Sequence, residues 1–213
     1  MTEKKRGRLI VFEGADGVGK STLCTELGAR FFTVGHPFVH ISFPGREPGT
    51  LGNLVYGIHH APESAGIKTK IVPAGVQALH VSAHIDSIER SVFPALANGA
   101  TVLLDRFWWS TEVYGAESGV DDSLLNSILH LARTAWKNVT PDIVFLLERK
   151  SNVSNMRVLS DRYLQIAARE TKHYPVKLID NSEGVEATLE KIIDYLSSTD
   201  AACNGLKKFE GNL

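Results

Sequence analysis

Gly14-Ala15-Asp16-Gly17-Val18-Gly19-Lys20-Ser21 is the stretch whose reading decides the fold of this chain. Its spacing is a complete G-x-x-x-x-G-K-[ST] phosphate loop. Three glycines let the backbone curl so that successive N–H groups face an anion. Such a loop opens a helix, whose N-terminus adds partial positive charge. Lys20 then reaches the β- and γ-phosphates of ATP, and the Ser21 hydroxyl can hold Mg2+. The flanks agree. Arg8-Leu9-Ile10-Val11-Phe12-Glu13 is a short, mostly apolar run, as a buried parallel strand should be. Thr22 to Phe32 follows, with Leu23, Leu27 and Phe31 at helical spacing. The expected ATP-contacting stretch is Gly14 to Thr22.

Working outward, further apolar runs at Phe38–Phe43, Thr101–Leu104, Ile143–Leu147 and Val176–Ile179 read as strands. Helical patterns alternate with them. The longest spans Gly75 to Asn98, with Ile85, Ile88, Val92 and Leu96 on one face and Gly99 as its stop. Asp121 to Lys137 reads as a helix with Leu124, Ile128 and Leu131 inward; two more cover Val153 to Lys172 and Val185 to Leu196. Alternation of this kind predicts an α/β, three-layer P-loop fold, in which helices flank a central five-stranded parallel sheet. Ligands then sit outside the carboxyl ends of the strands. One kinase-sized domain is expected over residues 1–197, followed by a loose polar tail over 198–213.

The chain of 213 residues has a net charge of −1, so no global basic field points to nucleic acid or an anionic membrane. No apolar stretch reaches membrane-spanning length and no secretory h-region precedes the first strand. The two cysteines, Cys24 and Cys203, fit a reducing compartment. The expectation is a cytoplasmic protein with no nucleic-acid or membrane partner.

A second constellation stands at Thr101-Val102-Leu103-Leu104-Asp105-Arg106, a strand that ends in an acid and a base. Asp105 is placed beside the loop, where it can hold Mg2+ directly or through water. Arg106 can clamp an anionic acceptor through two N–H donors. The plainer alternative is a salt-bridged strand end.

With these residues in place, the chain resembles the thymidylate kinase family over most of residues 8–196. The loop with its acid, Asp16, is similar to the family's loop. Phe43-Pro44-Gly45-Arg46-Glu47-Pro48-Gly49 resembles the family's segment after the second strand. Pro94-Ala95-Leu96, Gly99 and Asp105-Arg106-Phe107 resemble the approach to its Asp-Arg-Tyr motif, and Pro141 to Leu147 resembles its fourth strand. The resemblance implies a Mg-ATP-dependent kinase that phosphorylates dTMP to dTDP, often as a homodimer paired through helices flanking the sheet. By the same resemblance Lys20, Asp16, Arg106 and Asp105 would be the catalytic set. Arg46 and Arg106 would hold the acceptor phosphate, Asp16 would contact the ribose 3′-hydroxyl or metal-bound water, and Ser21 and Asp105 would serve the metal. Phe43 would line the base pocket, Tyr114 would favour deoxyribose, and Thr111 would join the acceptor contacts.

Three departures from that pattern stand out. His80 and His84 occupy the long-helix positions where the family reads the base with Phe and Arg. An imidazole stacks and donates one hydrogen bond but offers no guanidinium fork. Their i, i+4 spacing also suits a metal or a polar helix face. The loop carries Gly17 where some members have Arg, and the lid segment, about 148–162, is short. Arg149, Lys150, Arg157 and Arg162 are the candidates for a lid cation, or are solvated helix residues. Trp108-Trp109 can wall the pocket, form an interface or fill core. These departures keep two alternatives open: a kinase for another nucleotide, nucleoside or small molecule, and a low-activity nucleotide-binding regulatory protein.

Overall fold

The computed structural model describes residues 6–149, 154–199 and 205–206. Its five strands are β1 (Leu9–Glu13), β2 (Phe38–Ser42), β3 (Thr101–Asp105), β4 (Ile143–Glu148) and β5 (Val176–Asp180). They form one parallel sheet in the order β2-β3-β1-β4-β5. The inner strands β1 and β3 are wholly buried, and β4 is buried but for its last residue. That accounts for their unbroken apolar runs, since helices cover both faces. The edge strands β2 and β5 are only partly covered.

Helix α1 (Lys20–Thr33) leaves β1 through the glycine loop. Gly14, Gly17 and Gly19 all have positive φ, so the loop turns as its glycines allow. Helix α2 (Leu51–His60) follows β2, capped by the Thr50 hydroxyl on the Asn53 amide. The long helix starts at Pro73 and is not continuous. It runs as α3 (Pro73–Ser87), one wide π turn (Ile88–Val92) and α4 (Phe93–Ala97). Pro94 lacks the N–H that a regular turn here requires, and the backbone opens one turn before it. Ile88, Val92 and Leu96 are buried as the periodicity predicts, and Ile85 packs against the core from its edge.

Helices α5 (Trp108–Glu117) and α6 (Asp122–Ala135) link β3 to β4. Asp121 caps α6 by accepting from the Ser123 and Leu124 amides. The inward face of α6 is one position off the expected one. Leu125, Ile128, Leu129 and Ala132 are buried, while Leu124 and Leu131 are about half exposed. The Leu124-Leu125 doublet satisfies helical spacing in two registers, and packing against α5 selects the second. Helices α7 (Ser154–Glu170) and α8 (Val185–Thr199) complete the layers. α8 therefore continues past residue 198, and Leu206 is 2% exposed in the core, so part of the expected tail is packed. Cys24 is buried as a small core residue, and Cys203 lies outside the described residues. Among the described residues no helix is long and apolar enough to cross a membrane.

Candidate active site

Strand register builds the site. Phe12 pairs with Asp105, so the ends of β1 and β3 lie side by side where the loop begins. A cavity of about 600 Å3 opens there, bounded by the loop, α2, α3 and α5. Asp16, Gly17, Gly19, Lys20, Ser21 and Thr22 line it, whereas the buried Gly14, Ala15 and Val18 form the floor of the loop.

The Lys20 ammonium donates to the carbonyls of Gly14 at 2.8 Å and Ala15 at 2.7 Å. Burial, and then the Arg106 charge, pull its pKa down to about 8 against the attraction of Asp105, Glu13 and Asp16. The Ser21 hydroxyl donates to Asp105 Oδ2 at 2.5 Å. Asp105 Oδ1 is buried with no hydrogen-bond partner. An unpaired buried carboxylate oxygen beside a hydroxyl is a hard-oxygen pair suited to a divalent cation.

Arg106 has a φ of 77°, in the left-handed region that side chains rarely adopt. Its guanidinium pairs with the Asp16 carboxylate, donates to the Ser110 hydroxyl at 3.2 Å and lies 5.5 Å over the Tyr114 ring. Burial works against the Arg106 charge, but Tyr163, Asp16, Tyr114 and Glu13 outweigh it and raise its pKa. Burial alone would raise the Asp16 carboxyl, while Arg106 and Lys20 hold it below the ordinary value. Thr111 Oγ1 is buried without a hydrogen-bond partner.

A buried carboxylate holds this end of the site together. Glu13 Oε1 accepts from the amides of Phe107 at 2.7 Å and Ser110 at 3.1 Å, the open N-terminus of α5. Its Oε2 accepts the Ser110 hydroxyl at 2.8 Å and the Gly14 amide at 3.3 Å. Burial pushes the Glu13 pKa up despite Arg106 and these donors.

The far end of the cavity is aromatic and rich in histidine. Phe43 stacks on His84 with centroids 4.3 Å apart. His80 Nε2 meets His59 Nδ1 at 2.9 Å, and His59 stacks on His60. Burial, then the neighbouring His59, Arg106 and His60, pull the His80 pKa down to about 4; burial and His80 take His84 well below the ordinary value. These imidazoles are neutral near pH 7. No group of three or more metal-ligating side chains forms among the described residues. Arg46, with its guanidinium 4.5 Å over the Tyr56 ring, completes the wall.

The remaining residues singled out from the sequence lie elsewhere. Arg149 and Arg157 are exposed and do not line the cavity, and Lys150 lies outside the described residues. Arg162 lines a separate cavity of about 290 Å3 among α5, α6 and α7. Trp108 and Trp109 fill core: Trp109 donates to the Tyr174 hydroxyl at 3.1 Å, and Arg133 lies 4.0 Å over Trp108. Glu13, Ser110, Gln77, His59 and His60 join the site although the sequence alone does not single them out. The paired His59-His60 carry a sequence signal, whereas Glu13 reads only as the last residue of an apolar strand.

The sequence pattern described as "Thymidylate kinase" matches residues 12–191. A thymidylate kinase of Chlamydia trachomatis is 32% identical over 197 residues, covering 90% of each chain. One of Chlorobium luteolum is 34% identical over 160 residues, 75% of this chain and 70% of its own. The crystal structure of thymidylate kinase from Ehrlichia chaffeensis superposes with a TM-score of 0.68 at 21% identity, over 90% of this chain and 99% of that one, which speaks for the fold.

Proposed function

The chain belongs to the thymidylate kinase family, and we propose that this cleft moves the γ-phosphoryl group of ATP to dTMP, giving ADP and dTDP. The observation that carries the reading is the meeting, in one cavity, of the loop's Lys20 with the Ser21–Asp105 and Arg106–Asp16 pairs, opposite Arg46. The loop amides and Lys20 bind the triphosphate. Arg46 and Arg106 neutralise the acceptor phosphate so that it can approach the γ-phosphate. Asp16, paired with Arg106 in the resting protein, is released toward the acceptor sugar when a phosphate takes its place. Phe43 and His84 form one wall of the base pocket, and Tyr114 crowds the sugar. The catalysis is by positioning and charge neutralisation, with no covalent enzyme intermediate.

Ser21 and the unpaired oxygen of Asp105 would hold Mg2+, which offsets charge on the β- and γ-phosphates. For assembly the same reading expects a homodimer. The exposed Leu124 and Leu131, one face of α6, support it. A single-chain mass by light scattering would overturn that part.

The deciding experiment is ADP release from Mg-ATP with and without dTMP, beside dUMP, dCMP, dGMP, dAMP and thymidine. Strong stimulation by dTMP is the expected result. ATP binding with no stimulation by any acceptor overturns the reading. The observation that favours a different acceptor is the histidine-lined base end.

A further inference from the structure

The base end of the cavity contains an amide that is built in and left without a partner. Gln77 is 6% exposed and lines the cavity on α3, one turn before His80 and two before His84. Its stem lies beside α5: a Cβ placed on Gly115 would stand 3.5 Å from Gln77 Cγ, an ordinary contact, and 2.6 Å from a Leu125 methyl, so the missing side chain of Gly115 makes room for Leu125. Among the described residues the Gln77 amide makes no hydrogen bond. Thr111 Oγ1, one helical turn before Gly115, is buried and also unpartnered. His84 lies against Phe43 with its ring nitrogens equally unmatched among the described residues. A buried polar group without a partner, as Thr111 Oγ1 is, costs on the order of 1–3 kcal/mol. That hydroxyl and the two side chains facing the same cavity with unused hydrogen-bonding capacity fit a ligand that supplies what they lack.

The donor set identifies the ligand's edge. A carboxamide presents an acceptor and a donor side by side, and turning it over exchanges them. A neutral imidazole carries one donor and one acceptor, and a hydroxyl serves as either. Thymine and uracil show a carbonyl acceptor beside an N–H donor; cytosine shows an amino donor beside a ring-nitrogen acceptor. A guanidinium, with donors alone, can pair with the carbonyl at the 4-position of thymine or uracil but not with the amino group cytosine carries there. The groups at this end of the cavity match both. We propose that Gln77 reads the hydrogen-bonding edge of the acceptor base and that, with His84 and Thr111, it lets the site take cytosine as well as thymine or uracil deoxynucleoside monophosphates. Gln77 is the specificity-determining residue of the cleft. This inference rests on reading the cleft as a nucleoside monophosphate kinase site.

The test compares kcat/KM and calorimetric Kd for dTMP and dCMP in the full-length chain, Gln77→Glu and Gln77→Leu. The unaltered protein should favour dTMP over dCMP by no more than about 100-fold, against the 10^4-fold or greater rejection that a fixed hydrogen-bonding set imposes. Gln77→Glu, which offers acceptors only, should move the dCMP-to-dTMP ratio upward about tenfold or more with the KM for ATP unchanged. Gln77→Leu should weaken both acceptors about tenfold. The ratio within one variant is independent of how much of it is folded. A ratio unmoved by Gln77→Glu, or rejection of dCMP beyond 10^4-fold, would overturn the assignment and leave Gln77 a packing residue. Base-dependent binding that changes with Gln77, but no ADP from any acceptor, would overturn the kinase reading and sustain the assignment. ADP formed with dTMP and indifferent Gln77 variants would do the reverse.

Discussion

The two ends of the cavity are built on opposite plans. At the loop end the polar side chains have partners apart from one Asp105 oxygen: Lys20 on two carbonyls, Ser21 on Asp105, Arg106 on Asp16. At the base end Gln77 and His84 are largely buried residues facing the cavity with no hydrogen bond among the described residues, and Thr111 Oγ1 is buried without a partner. Each end suits a different kind of ligand group. A phosphate carries the same charge in every nucleotide, so its site can be set in advance and held by the protein's own groups. A base differs from ligand to ligand, and its site is completed only by the molecule that enters.

The comparison breaks most visibly at Lys20. Lys20→Ala should lower kcat/KM by about 10^3-fold or more with every acceptor, because it removes a charge common to all of them. Circular dichroism should show the fold retained. A loss confined to one acceptor would mean that the loop end is also selective. Next in size is Arg106→Ala, expected to cost about 10^2- to 10^3-fold with monophosphates and much less with thymidine. Equal losses in steady-state assays of thymidine and dTMP would separate Arg106 from the acceptor phosphate.

Acid acts on both ends, and its effect on the base end can be isolated at His80. His80 is held near a pKa of about 4 by burial and by His59, Arg106 and His60. The unfolded chain then binds the proton that the folded chain refuses. Stability from this group is complete above the unfolded value of about 6.5 and falls as the pH drops toward 4. The loss should be about 2 kcal/mol after discounting for partial exposure. Urea midpoints at pH 7 and pH 4.5 measure it as the difference between the unaltered protein and His80→Gln, in which His84 still contributes a slope of the same sign. The smallest effect concerns the segment carrying Phe43 and Arg46. A Cβ on Gly52 would lie 1.8 Å from the Pro44 carbonyl oxygen. Gly52→Ala must displace that segment and should raise the acceptor KM about tenfold while leaving the ATP KM unchanged.

The loop end is also the legible end. Its glycines and Lys20 lie within eight consecutive residues, and Asp105-Arg106 closes an apolar strand, so spacing alone brings them out. The five strands are legible because three inner ones are buried on both faces and read as unbroken apolar runs. Glu13 is not, because its partners are Phe107 and Ser110, 94 and 97 residues away. Gln77 reads in sequence as one polar residue interrupting an apolar helix, and its meaning depends on the cavity that α2 and α5 close around it. The inward register of α6 is ambiguous wherever two leucines stand together. The break before Pro94 is signalled by the proline itself, but a helix can absorb a proline in several ways and only packing selects one.

Glu13 has a mechanical consequence. One carboxylate grips the first amide of the glycine loop and two amides of α5, across the seam between strands β1 and β3. The helix that carries Thr111 and Tyr114 is thereby fastened to the loop that carries Lys20. The loop and this helix should therefore move as one body. Protection of the Gly14, Phe107 and Ser110 amides against hydrogen–deuterium exchange should accordingly rise and fall together, and ATP alone should slow exchange on α5.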